Sequence, residues 1–98
     1  MKMQIALVHN HYNPEHLEAV IAEMRELGAP VIKAVWMECW GVWAALEGCH
    51  RIRAAAELGL IPEIEEIEYD NGYVTDDGYS AEEIADEANT KTIIRFED

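Results

Sequence analysis

The spacing of apolar residues along this chain predicts an α+β fold, a single compact domain with helices packed on a mixed sheet. Three observations support it. Short apolar runs alternate with segments of helical period. Gly or Pro stands at most of the junctions between them. No linker, repeat or low-complexity stretch divides the 98 residues.

Residues 3–9 read as a first strand on the buried run Ile5-Ala6-Leu7-Val8. Asn13 then suits a helix N-cap and Pro14 its first turn, where a missing N–H costs nothing. Leu17, Val20, Ile21, Met24 and Leu27 recur at helical spacing, with Glu15, Glu18, Glu23 and Glu26 off that stripe. Gly28 is expected to close the helix as a left-handed cap, and Pro30 to prevent its continuation. Residues 31–37 read as a strand, Gly41 as a turn, and residues 42–47 as the hairpin partner. After Gly48, an alanine-rich helix is expected over about 51–58, stopped by Gly59. A strand over 63–69 precedes the turn signal Asp70-Asn71-Gly72. Ser80 and Glu83 have capping-box spacing and open a short helix to about Ala88, and residues 91–96 close the chain as a strand. The order is β-α-β-β-α-β-α-β. The order of strands within the sheet does not follow from it.

Composition narrows the function. The formal charge is -13, from 20 acidic and 7 basic residues, and a field of that sign repels nucleic acid and anionic lipid. Direct nucleic acid binding by this chain alone is therefore not expected. No apolar run approaches the roughly 18 residues of a membrane span, and the start shows no signal-peptide cleavage pattern. Two cysteines, Cys39 and Cys49, are too few for a disulfide framework and fit a reducing, cytoplasmic setting.

The segment that carries chemistry is Glu47-Gly48-Cys49-His50-Arg51-Ile52-Arg53-Ala54. A strand ends, a glycine turns the chain, and a helix begins on a polar triplet. The first turn of a helix has unpaired N–H groups and a partial positive charge, which favour an anion. Gly48, lacking a Cβ, allows close approach of an oxyanion. His50, Arg51 and Arg53 add donors, and arginine can hold phosphate oxygens in bidentate fashion. The plain alternative is that both arginines pair with nearby glutamates.

Gly48-Cys49-His50-Arg51 resembles the Gly-Cys-His-Arg signature of sulfiredoxins, and Gly48-x-x-Arg51-x-Arg53-Ala54 resembles the Gly-Glu-Arg-Arg-x-Arg-Ala box of ParB partition proteins. The flanking elements are similar too: a helix, a Gly-Pro-like break and a hairpin before the box, and a helix ending in Leu58-Gly59 and then a strand after it. The resemblance covers about residues 4–69, leaving 70–98 as a helix-strand extension. It implies a ParB/sulfiredoxin-like domain that binds ATP or another nucleoside triphosphate with Mg2+, phosphates at Gly48, Cys49, His50, Arg51 and Arg53. Aligning the first helix puts His16 at a phosphate-contacting lysine of sulfiredoxins and Ala19 at their serine, so Asn13 and His16 join the expected binding residues. The expected activity is ATP-dependent phosphotransfer or hydrolysis with Cys49, His50 and Arg51 as catalytic candidates. The alternatives are a nucleotide-sensing module without turnover, and a DNA-partition or nuclease component.

Other readings stay open. Cys49 is either a nucleophile activated by the helix terminus, His50 and Arg51, or a small residue beside phosphate. Cys39 is expected to be inert. His9, His11, His16, Cys49 and His50 have no recognisable zinc-ligand spacing, so no metal site is expected from them. Trp36, Trp40 and Trp43 are either hairpin packing or an exposed patch for a protein partner or homodimer. Glu23 lies two helical turns from His16 and is a candidate acid near the site. Asp76, Asp77, Glu82 and Glu83 are either a cation site near the second turn or, the reading preferred, a solvated cap. The charge generates the first prediction: purified protein gives no gel shift with duplex DNA at micromolar concentration and physiological salt. A salt-sensitive, sub-micromolar shift contradicts it.

Overall fold

The computed structural model describes residues 2–69, 78 and 80–97, with Asn89 through its backbone alone. Five strands and three α-helices follow the expected alternation: β1 (Lys2–Ala6), α1 (Pro14–Leu27), β2 (Val31–Met37), β3 (Val42–Ala45), α2 (Cys49–Leu58), β4 (Glu63–Glu66), α3 (Ala81–Asp86) and β5 (Ile93–Glu97), with a 3-10 turn at Ala88–Thr90. The expected turn at 70–72 and the carboxylates of Asp76 and Asp77 lie outside the described residues.

The sheet is mixed, in the order β4-β2-β3-β1-β5. β1 runs parallel to β3, and β2 parallel to β4; β2 with β3 and β1 with β5 are antiparallel. Strand alternation sends successive side chains to opposite faces. Ile5, Ile32 and Ala45 meet Met24 of α1 and Ile52, Ala54 and Ala55 of α2 on one face. Ala6, Val35, Ala44 and Leu46 meet Ala81, Ile84 and Ala85 of α3 on the other. The sheet is thus covered by α1 and α2 on one side and by α3 on the other. Among the described residues, no helix is long and apolar enough to cross a membrane.

The local signals act through their expected atoms. The Asn13 side chain accepts from the N–H groups of Glu15 and His16 at 2.9 and 3.2 Å. The Ser80 hydroxyl accepts from the Glu83 N–H at 3.2 Å, and Glu83 returns a bond from the Ser80 N–H.

Five expectations need correction. β1 ends at Ala6 and not at residue 9, because the chain then leaves the sheet to pass over the start of α2, where the Cys49 sulfur meets the His9 and His11 carbonyls. Gly28 does have a positive φ of 83°, but its ψ of -165° is extended, so it is not the left-handed cap; its N–H still donates to the Met24 carbonyl at 2.8 Å. Leu27 is 74% exposed. At about 100° per residue it sits some 80° around the helix from Leu17, at the stripe's edge. α2 starts two residues earlier than expected, at Cys49, because Gly48 is itself the N-cap. Pairing of β4 ends at Glu66, although the Ile67 N–H still donates to Ala34 at 2.9 Å.

Ile52 is fully buried between α2 and the sheet. Its replacement by alanine leaves a cavity that the rigid sheet below cannot fill, costing roughly 2–5 kcal/mol. Urea titration of Ile52→Ala is expected to show a lower midpoint with an unchanged slope; an unchanged midpoint contradicts the packing described.

Candidate functional site

The parallel strands β1 and β3 both end at the same edge of the sheet, and the loop after each leads into a helix on the same face. A groove of about 1070 Å³ opens over these carboxyl ends. Gly48, Cys49, His50 and Arg51 form one wall, His16 and Glu23 of α1 another, and Lys33, Glu83, Glu87 and Lys91 close the far side. Ligands favour such positions in α/β sheets, where helix termini converge beyond strand ends.

The first turn of α2 is built around Gly48, which has φ 80° and ψ 29° and supplies no side-chain cap. A Cβ here would lie 2.9 Å from Ile32 Cδ1 and 3.2 Å from an Arg51 guanidinium nitrogen. The glycine is therefore required by the core beneath it and by Arg51, and the space a Cβ would fill is not open to a ligand. The first turn of α2 contains no acidic residue, so its positive end is not neutralised from within the helix.

Three side chains of α2 hold the loop after β1. The Asn13 N–H donates to His50 Nε2 at 3.0 Å. Cys49 is 4% exposed, and its sulfur lies 3.6 Å from the carbonyls of both His9 and His11, which share its single S–H. Arg53 donates to the Asn10 carbonyl at 3.2 Å and stacks 4.2 Å from the centre of the Tyr12 ring. Asn10 in turn bonds the backbone of Thr90 and Thr92 beside β5.

The arginines diverge. Arg51 faces the groove, donating to Glu47 at 3.2 Å and to the Val31 carbonyl at 3.1 Å. Both partners of that ion pair are about 40% exposed, so solvent screens it. Arg53 does not line the groove, because two residues along a helix turn a side chain to the opposite side. Asn13 is also outside the lining; its side chain caps α1 and its N–H engages His50. Arg51 thus has the glutamate partner that the plain alternative names, and Arg53 has none among the described residues.

His16 and His50 bring their rings to 4.4 Å between centroids, nearly perpendicular, and His9 and His11 lie 6.5 Å apart. All four histidines of the chain lie at or near the start of α2. Among the described residues no three His, Cys, Asp or Glu side chains form a metal-holding group. Lys33 and Lys91 are groove residues that the sequence reading missed. Lys33 carries a legible signal, as the one charged residue within the β2 run Val31–Met37; Lys91 carries none. Glu87 lies 3.7 Å from Lys91. No family model, characterised protein or solved structure matches this chain.

Burial first, then the charges of His16, His9, Arg53 and His11, lower the pKa of His50 below its ordinary 6.5. Its Nε2 is an acceptor, so protonation also breaks the bond from Asn13. The unfolded chain binds this proton more readily than the folded one. The stability contributed is therefore complete above the unfolded value and is lost as pH falls from about 6.5 through the lower folded value. Melting temperature is expected to fall between pH 7.5 and 5.5 more steeply for wild type than for His50→Gln, which keeps an acceptor and does not titrate. Equal slopes contradict this.

Proposed function

We propose that this chain is a nucleotide-binding domain of the ParB/sulfiredoxin type that holds the phosphates of ATP or another nucleoside triphosphate at the start of α2. One observation carries the reading. The first turn of α2 has neither a side-chain cap nor an acidic residue, and it lines a groove that also contains His16, His50 and Arg51. Uncapped N–H groups at the positive end of a ten-residue helix suit a phosphate. The groove's volume of about 1070 Å³ leaves room for a base and ribose beyond it. Lys33 and Lys91 bring further cations to a lining that also holds Glu23, Glu47, Glu83 and Glu87.

Magnesium fits as a companion of the phosphates. With no three-residue ligand group among the described residues, the ion would be held chiefly by phosphate oxygens and water, with one or two carboxylates such as Glu23 or Glu47, as is usual for this cation. Its chemistry there is to neutralise phosphate charge.

The reading gives Cys49 no nucleophilic role. A cysteine 4% exposed, with its sulfur against two backbone carbonyls, is not presented to a substrate. This separates the proposal from sulfinic-acid repair and leaves phosphoryl transfer, hydrolysis or regulated binding, with His50 and Arg51 beside the phosphates. The acidic charge separates it from DNA partition.

Thermal scans with millimolar ATP, CTP and GTP, each with magnesium, test the reading. At least one nucleotide is expected to raise the melting temperature, by the equivalent of about 2.7 kcal/mol at a hundredfold excess over the dissociation constant. Arg51→Ala, checked for native circular dichroism, is expected to weaken binding about ten- to a hundredfold. Cys49→Ser keeps the backbone N–H and is expected to bind like wild type. Flat scans with all three nucleotides, or full binding by Arg51→Ala, contradict the proposal. Phosphate release on the same samples distinguishes turnover from binding alone.

A further inference from the structure

The opposite end of the sheet has a different character. Ile32, Ala34 and Trp36 of β2 share a face with Trp43 and Ala45 of β3, because register pairs Trp36 with Trp43 and Ala34 with Ala45. Where α1 and α2 lie over this face, Ile32, Ala34 and Ala45 are at most 1% exposed. Two residues further on, Trp36 is 43% exposed. Its ring packs on Trp43 with centroids 5.2 Å apart and planes at 59°. A cross-strand aromatic pair explains that contact, but it does not explain why so much indole faces outward.

A depression of about 700 Å³ lies beside this pair, with Met3, Trp36, Trp43 and Ile64 as its apolar surface and Glu63 and Glu66 on its rim. Glu66 is in register with Ala34, so it projects on the same face as Trp36 and next to it. The cation at the rim, Lys2, lies 3.9 Å from Glu97 of β5. The site thus combines indole faces, whose quadrupole attracts cations, with the adjacent Glu66 carboxylate of the edge strand β4. The chain's charge of -13 adds a field of the same sign.

We infer that this depression is a docking site for a basic segment of a partner protein, which lays an arginine or lysine side chain on Trp36 and its charge against Glu66. Charge complementarity selects this occupant. A second copy of this chain would bring another -13 against the first, and a neutral apolar segment would leave Glu66 without a counter-charge. Arginine fits best, because its planar guanidinium stacks on an indole while its edge donates to a carboxylate. The site lies at the amino ends of β1 and β3, away from the groove at their carboxyl ends, so it does not depend on what that groove binds.

The test titrates the full chain with a blocked hexa-arginine peptide while following the indole N–H resonances. Those of Trp36 and Trp43 are expected to shift, and that of Trp40 to remain in place. Trp36→Ala and, separately, Glu66→Gln are each expected to weaken binding about three- to tenfold, with Trp36→Phe between Trp36→Ala and wild type. Glu66 is exposed on an edge strand, so Glu66→Gln stays folded and keeps the test valid if Trp36→Ala does not. The isosteric, uncharged hexa-citrulline peptide is expected not to bind. Three results each overturn the inference. They are no binding of hexa-arginine, binding undiminished by both substitutions (attraction to overall charge alone), and equal binding of hexa-citrulline (an apolar occupant).

Discussion

The turn at Gly48 is the constraint on which the rest of this structure depends. It must take φ 80° directly above Ile32, where a Cβ would come within 2.9 Å of Ile32 Cδ1. That geometry lets α2 begin immediately after β3 and lie flat on the core through Ile52 and Ala55, both fully buried. The start of α2 is consequently fixed at the carboxyl ends of β1 and β3. From there His50, Cys49 and Arg53 reach across to the loop after β1. One glycine therefore sets the helix terminus, the groove wall and the clamp on the neighbouring loop.

That clamp separates residues that the sequence placed together. Glu47, Gly48, Cys49, His50, Arg51 and Arg53 form one run, but the helix divides them between two tasks. Arg51 faces the groove, while Cys49 and Arg53 secure the backbone at His9, Asn10 and His11, and Arg53 also stacks on Tyr12. The burial of the thiol follows from this arrangement, since the loop closes over it. His50 belongs to both tasks, because its ring lines the groove while its Nε2 holds the Asn13 N–H. A proton at His50 therefore affects the loop as well as any bound anion.

The elements themselves were largely legible because their signals are local. Asn13-Pro14 and the Ser80–Glu83 capping box act between residues close in sequence, and so does the Gly41 turn of the hairpin, whose N–H reaches back to Met37. Strand order was not legible. Placing β1 between β3 and β5 depends on pairing across the whole chain, as in Met3 with Phe96, which no local signal encodes. The destination of Arg53 was hidden for the same reason, since Asn10 is 43 residues away. Its direction was nonetheless available from helical geometry, which turns it away from Arg51. Lys33 was also legible in principle, as a charge inside a buried strand.

The two ends of the sheet differ in the side chains they present. The carboxyl end gathers His9, His16 and His50 with Lys33, Arg51 and Lys91 among Glu23, Glu47, Glu83 and Glu87, and the amino end gathers tryptophan with Glu66. The central claim is that the start of α2 receives phosphate. The most direct measurement is an amide chemical-shift map of the 15N-labelled protein titrated with inorganic triphosphate, which removes any contribution from base or ribose. The account predicts the largest perturbations at the N–H groups of Cys49, His50 and Arg51, with smaller ones along the His16 turn of α1. Perturbations centred elsewhere, or none at millimolar ligand, would contradict it.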